Sequence, residues 1–587
     1  MAYKGDQVTR MEALMRRAVS AGFVAVVLTA GPFGCNAIFG LDAGELMPLA
    51  AGGTGATGGG GSGGGSPCTA TEPEACYDGP PETINIGDCH AGTRTCLASG
   101  YWGLCDGQVE PAPEICDDPL QHDEDCDGVA CAAPLWSMRH GAIASTQGIY
   151  AMAADADGHI AIGGYFGGGQ LSLGGACSPL TNGGAASSYD AFVALLSQSG
   201  TCMWAKRFGD PSADEIVTGL AVGAPGHLWV TGTFEVPVDF GGGPIPAEAV
   251  AGAGWDGFVL VLHLDDGSHA YSDHLARSGA TGFKSPKAIA VNAQDTAFIV
   301  GTYTGPWCVT GICLTPDDES DGAAFVDKRS GPTHDEEWRF DLLGAGDQEL
   351  TSAALGPDGS LAVGGFFTQG LAIAPEAATV TDSSQIAFVA SLDPTDHHAT
   401  WLQTYAPSTA DVTQVVHGVA VDGQGRSNVV GAFFKAAVLG PGQPEVTAPL
   451  TGAAFVAQYS TSHDLVWAHT YQSAAGGIIG VDAVVVDSKD NLFLGGGYLG
   501  GDIKFGVSPL PSHGQFDVFL ASFAADGTHR WSKGLGGSDV DYFGAIATGA
   551  GKLVVVGGDT KSPTFTLGGS PLAQEGPDDL FLGAFAP

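Results

Sequence analysis

Basic residues are scarce in this sequence. Of 587 residues only 22 are Lys or Arg, against 64 Asp or Glu, giving a formal net charge of -42. A surface of that sign repels nucleic acid and anionic lipid, so readings built on a basic groove are excluded. Charge of either sign is thin, at 15% of residues, which excludes a disordered acidic tail and leaves apolar material for a large core. No apolar run after the first residues reaches the ~18 that mark a membrane-spanning helix. His-Glu-x-x-His, a phosphate-binding loop and Cys-x-x-Cys are missing, and Gly-x-Ser-x-Gly occurs only within the Gly-rich run 51–66, without the strand and helix a nucleophile turn needs, so the metalloprotease, nucleotide-binding, zinc-ribbon and serine hydrolase signatures are not met. What is abundant is glycine, 92 residues, roughly double the usual share of ~7%. That argues against long helices and for many turns.

The N-terminus reads as an export signal. Arg10, Arg16 and Arg17 precede an uncharged stretch from Ala18 to Gly31, too short for the ~20 residues a spanning helix needs. A positive flank, a short apolar core and small residues make a signal peptide over 1–34. Gly34-Cys35 resembles the end of a bacterial lipobox, which implies acylation of Cys35 and a membrane anchor. Ordinary cleavage, leaving Cys35 as a single thiol, is the alternative. Residues 35–66 then form a tether, its second half (51–66) almost purely Gly, Ser, Thr and Ala. Such a composition is flexible coil.

Apart from Cys35 there are twelve cysteines, an even number in an exported chain, and that is the arithmetic of disulfides. Eight fall in residues 67–132: Cys68, Cys76, Cys89, Cys96, Cys105, Cys116, Cys126 and Cys131. Eight cysteines allow 105 pairings, and spacing does not choose among them. Two further pairs follow, Cys177 with Cys202 and Cys308 with Cys313, the latter spanning a loop eased by Gly311. The 67–132 segment carries fourteen acidic residues and one base, Arg94. It is too small to bury much, so cross-links are expected to hold it.

Within that segment, Asp123, Asp125 and Asp127 alternate ahead of Gly128. Alternating carboxylates before a Gly can converge on one hard cation, as in the first half of an EF-hand loop, but the twelfth position is Pro134 and the second half is missing. Pro113-Glu114-Ile115-Cys116-Asp117 and Asp123-Glu124-Asp125-Cys126-Asp127-Gly128, with Cys76-Tyr77-Asp78-Gly79-Pro80 and Trp102-Gly103-Leu104-Cys105 upstream, resemble the Cys/Asp-rich metal-binding-motif modules of bacterial surface proteins. The resemblance implies a cation, calcium or copper, at Asp123, Asp125 and Asp127. A solvated acidic loop between disulfides is the competing reading.

From residue 133 onward the chain repeats. An aromatic recurs at Trp136, Trp204, Tyr271, Trp338, Trp401, Trp467 and Trp531, at intervals of 63–68 residues. Each unit runs through a small-apolar strand ending in an Asp/Gly turn (Asp155-Ala156-Asp157-Gly158), a second strand ending in Gly-x-Phe/Tyr (Gly232-Thr233-Phe234), a variable loop, a third strand opening Asp-x-Phe (Asp256-Gly257-Phe258), and a fourth carrying the next aromatic. Two-residue alternation and turn residues mark all four as strands. Four strands in each of seven units make an all-β, seven-bladed β-propeller over 133–587. The phase is offset: the repeat region opens with a fourth strand at Trp136 and ends with a third strand around Phe581. The two are expected to pair and so close the last blade. The aromatics are expected to pack between blades. These motifs resemble the bacterial seven-bladed β-propeller repeat family, which implies an exported or surface protein and no single activity. Units three and four drift, with Asn292-Ala293-Gln294-Asp295 in place of the Asp/Gly turn and Gln385-Ile386-Ala387-Phe388 lacking the leading Asp.

The sequence thus points to a lipid-anchored cell-surface scaffold, not an enzyme, that binds a protein or glycan and no nucleic acid. A metal-binding surface protein is the alternative. A quinoprotein-like propeller enzyme is a third reading: Gly200-Thr201-Cys202-Met203-Trp204 fits its repeat ending, but no adjacent Cys-Cys is present.

Overall fold

In a computed structural model of the chain, the described residues are 68–69, 73–111, 126, 134–141 and 146–587, less the short segments 185–187, 224–225, 248–254, 276–282, 306, 310–311, 315–321, 331–332, 397, 474–475, 502, 507–508 and 550–552. Cys35, Cys116, Cys131, Asp123, Asp125 and Asp127 lie outside them. Two compact units divide the described residues, 68–111 with 126 and 134–587.

The larger unit is a seven-bladed β-propeller. Its blades begin on the strands Thr146–Ala154, Glu215–Gly223, Lys284–Val291, Gln348–Leu355, Thr413–Val421, Ile478–Val486 and Asp541–Gly549, each joined by three further antiparallel strands. Every first strand touches the first strands of both neighbouring blades, and that of blade 7 touches that of blade 1, so the ring closes. The closure is the one the repeat phase requires. Trp136–His140 is the outer strand of blade 7, paired antiparallel with Asp579–Phe585 from Trp136↔Ala584 to His140↔Leu580. There the Arg139 Nε donates to Asp579 Oδ2 at 2.6 Å, with both side chains buried.

The repeat motifs have a common steric origin. The Gly of Gly-x-Phe on the second strand lies directly opposite the Phe near the start of the third, as in Gly232↔Phe258 and Gly431↔Phe455. A Cβ at Gly431 would stand 2.1 Å from the Val415 carbonyl oxygen and 2.8 Å from the Phe455 ring. The glycine therefore lets the first strand and the phenyl ring close on the same spot. The first strands share a bulge, skipping Tyr150, Thr218, Lys287, Thr351, His417, Asp482 and Gly544 in turn. Bulges release a residue from the ladder and re-aim it. The released Thr218 donates to the Pro286 carbonyl of the next blade at 2.8 Å, and Thr351 to that of Val416. The blade faces pack into apolar layers. One of them joins Ile149, Ile160 and Phe192 of blade 1 to Leu553, Val555 and Leu582 of blade 7.

The recurring aromatics sit between blades, as the pattern implies. Trp136 and Trp204 donate from Nε1 to the Gln198 and Leu264 carbonyls in the next blade's outer turn, at 2.8 and 2.9 Å. Trp401 stacks on His463 at 4.8 Å. The variable loops carry short hairpins of their own, such as Gly370–Ile373 with Glu376–Thr379.

The smaller unit is built differently. Glu74–Cys76 pairs with Gly92–Arg94, and Arg94 lies over the Trp102 ring at 5.0 Å. Its buried apolar residues, among those described, are Cys68, Cys89 and Cys126.

Candidate functional site

The disulfide expectation is met wherever the sulfurs are described: Cys68–Cys96, Cys76–Cys105, Cys89–Cys126 and Cys177–Cys202. Cys308 and Cys313 face each other across the hairpin Trp307–Val309/Ile312–Leu314. The carboxylates expected to hold a cation, Asp123, Asp125 and Asp127, fall outside the described residues. Among the described residues, no helix is long and apolar enough to cross a membrane.

Two kinds of polar cluster occupy the two faces of the ring. On the face where first strands begin, buried acids meet between blades. Asp190 opens the third strand of blade 1 and Glu215 the first strand of blade 2; both are fully buried and both crowd the backbone of Gly209. Arg207 Nε donates to Asp190 Oδ2 at 2.5 Å. Asp190 Oδ1 and Glu215 Oε1 have no hydrogen-bond partner among the described residues. Burial, reinforced by the charge of Asp190, pushes the Glu215 carboxyl up to about 9, against the pull of its bond from the Asp210 amide. A Glu at that value is protonated at neutral pH. Blades 6 and 7 repeat the arrangement with Asp517 and Asp541, where burial pushes Asp541 up to about 6. At the positions of Glu215 and Asp541, blades 1, 4 and 5 place Gln147, Gln348 and Gln414, whose amides bond backbone carbonyls. Asp541 accepts from the Gly537 amide of blade 6 and from the Thr560 and Ser562 hydroxyls of blade 7, which makes it a latch between those blades.

On the opposite face, where the turns between first and second and between third and fourth strands gather, blades 2 and 3 bring three donors together. His227 opens the second strand of blade 2. Asp295 is the last residue of the inner turn of blade 3, and His334 ends its outer turn. His227 Nδ1 lies 2.6 Å from Asp295 Oδ2, His334 Nε2 lies 3.4 Å from the same oxygen, and the two ring nitrogens are 3.5 Å apart. The other carboxylate oxygen, Oδ1, accepts from Trp229 Nε1 at 2.8 Å. Burial pulls the His334 imidazole below its ordinary value, against the raising effect of Asp295. Behind it, Tyr271 packs against His334 with ring centroids 5.5 Å apart and planes tilted by 40°, and burial pushes it up to about 12. Arg329, fully buried, reaches Tyr271, Asp273 and Asp327 at 3.2, 3.0 and 2.8 Å. Arg339 joins Asp327 and lies 3.8 Å over the Trp307 ring. Two cations hold the Asp327 carboxyl below its usual range despite complete burial.

This cluster coincides with the drifted unit. The turn Asn292–Asp295 keeps its fold because Asn292 Oδ1 accepts from the amides of Gln294 and Thr296, as Asp422 does in blade 5. Along the sequence the drift looks like loss of a motif, and nothing in the motif connects Asp295 with His227 and His334. A signal is nonetheless present: Asp295 and His334 adopt φ of 62° and 55° at positions where sister turns carry Gly158 and Gly425, or Gly200 and Gly527.

No family model matches the chain, and no curated protein matches it significantly. Among solved structures it is similar to the Dos1 propeller, at 10% identity and a TM-score of 0.38, covering 77% of this chain and 95% of that one. YCF48 bound to D1 peptide is similar at 12% identity and 0.34, covering 78% and 96%. The quinohemoprotein alcohol dehydrogenase from Comamonas testosteroni is similar at 10% and 0.37, covering 77% and 76%. At these values nothing about activity passes from those proteins to this one.

Proposed function

We propose that this chain is an exported, lipid-anchored cell-surface protein whose propeller is a non-catalytic scaffold for a protein or glycan partner. The observation that carries the reading is the disulfide framework: four bridges among the described residues, of a kind that forms and persists in oxidising compartments, behind a sequence with the pattern of an export signal. The Gly/Ser-rich tether after Cys35 lets a membrane-held protein reach outward. Supporting the non-catalytic reading, the perturbed acids Glu215 and Asp541 are fully buried. The strong negative charge disfavours nucleic acid as partner.

Fractionation of cells making the full chain tests the location. The wild type should pellet with membranes, Cys35→Ser should be soluble, and protease added to intact cells should cut the tether and release a compact disulfide-bonded fragment. A Cys35→Ser protein that still pellets, or a chain untouched by external protease, overturns the anchored, surface-exposed reading. Dye-linked dehydrogenase activity that copurifies with the chain would overturn the non-catalytic one.

A further inference from the structure

We propose that His227, Asp295 and His334 are the ligands of a first-row transition-metal ion, with zinc(II) the best fit, held at the junction of blades 2 and 3. Two imidazole nitrogens and one carboxylate oxygen are donors for borderline metals, not for calcium, which takes oxygen. Around tetrahedral zinc, with bonds of about 2.0–2.1 Å, neighbouring ligand atoms stand about 3.3 Å apart. The His334–Asp295 and His334–His227 separations of 3.4 and 3.5 Å already match. The His227–Asp295 contact at 2.6 Å is a hydrogen bond, and the ion would replace its proton and open the pair by about 0.7 Å to the tetrahedral spacing. The carboxylate is oriented for this by Trp229 Nε1 on its other oxygen, the outer-shell support that metal ligands commonly have. The His227 and Asp295 side chains remain 18% and 12% exposed, so an ion can enter and a water can take the fourth position.

The sister blades separate this site from an ordinary latch. In blades 5 and 6, Asp490 occupies the position of Asp295, and Arg426 that of His227. Asp490 accepts from Gly423 N and Gln424 Nε2 at 2.8 Å each and lies 3.8 Å from Arg426. The outer turn there ends in Gly527 and offers Arg426 only the Ala525 carbonyl. Blades 2 and 3 replace the arginine with an imidazole and the glycine with a second imidazole, at a backbone angle that L residues adopt rarely. His463 shows what stacking alone looks like at that turn position: it lies flat on Trp401. His334 instead packs tilted against Tyr271 and presents Nε2 to both other donors. A second grouping, Asp155, Asp157 and His159, is a turn cap: Asp155 Oδ1 accepts two backbone amides and Oδ2 meets His159, as Asp422 meets Arg426.

Cobalt(II) is the probe, added to the untagged, chelator-stripped mature protein. Wild type should develop the intense visible bands of four-coordinate cobalt, saturating at one ion per chain and abolished by zinc. His334→Gly, which installs the residue of the sister turns, and His227→Gln, which keeps an amide against Asp295, should each weaken cobalt binding at least about tenfold with melting temperature unchanged in the metal-free state. His463→Gly and the triple change Asp123→Asn, Asp125→Asn, Asp127→Asn should leave the bands intact. Absence of bands in wild type, or bands of unchanged affinity in both ligand variants, overturns the proposal.

Discussion

The two units of this chain reach stability by opposite routes. Among its described residues the small N-terminal unit buries only Cys68, Cys89 and Cys126 as apolar groups and leaves Leu97, Tyr101, Leu104 and Val109 exposed; three disulfides cross-link it. The propeller packs apolar layers between blades and has a single disulfide among its described sulfurs, Cys177–Cys202. A segment too short to remove much surface from water gains stability by restricting its unfolded state, whereas a ring of blades gains it from burial. The same contrast separates what each unit tolerates: the propeller is sensitive to an added methyl group, the small unit to a lost sulfur.

The largest effect is expected where the packing is tightest. Gly431→Val would drive a side chain into the Val415 carbonyl and the Phe455 ring, and urea unfolding should show a loss of about 4 kcal/mol or more in the propeller transition. By contrast Gly100→Ala in the small unit meets open space at φ 78° and should cost only about 1–2 kcal/mol of that unit's stability, the penalty of a left-handed backbone. Next in size is ring closure. Arg139→Ala removes the partner of the fully buried Asp579, and an uncompensated buried charge costs about 3–5 kcal/mol. The variant should melt lower and self-associate through the weakened outer strand of blade 7, measured by calorimetry and light scattering. Replacing Cys76 and Cys105 together by Ser should take about 2–4 kcal/mol from the small unit and leave the propeller's melting temperature unchanged.

The last expected effect is a pH slope confined to the propeller. Glu215 is raised from its usual 4.5 to about 9 in the folded chain. The folded state therefore holds a proton that the unfolded state gives up, and this contribution is complete below pH 4.5 and lost as pH rises toward 9. Glu215→Gln should flatten the fall in propeller stability between pH 5 and 9. A slope identical to that of wild type would show that the acid pair carries no linked proton.

Much of this architecture is legible in the sequence. The 63–68-residue period, the Gly-x-Phe and Asp-x-Phe motifs and the phase offset are all visible along the chain, and each has a simple cause: Gly opposite Phe across one strand pair, Asp or Asn capping one turn, Trp136 pairing with the far end because the last unit lacks a fourth strand. The pair Cys177–Cys202 is legible, but the partners within the small unit are not, since sulfurs about thirty residues apart are chosen by its fold. The metal expectation falls on Asp123, Asp125 and Asp127 because contiguous acids are visible as a motif. The donors brought together in the propeller, His227, Asp295 and His334, come from three turns of two blades, and in sequence they look like decay of the repeat. Comparing turn positions across blades exposes two of them, Asp295 and His334, as residues that replace glycine.

Hydrogen–deuterium exchange of the mature protein, before and after reduction, tests the contrast between the units most directly. Reduction should abolish protection across residues 73–111 while the first and second strands of every blade keep theirs, apart from faster exchange around Cys177 and Cys202. Small-unit amides that stay protected after reduction, or propeller strands that lose protection with them, would contradict the account.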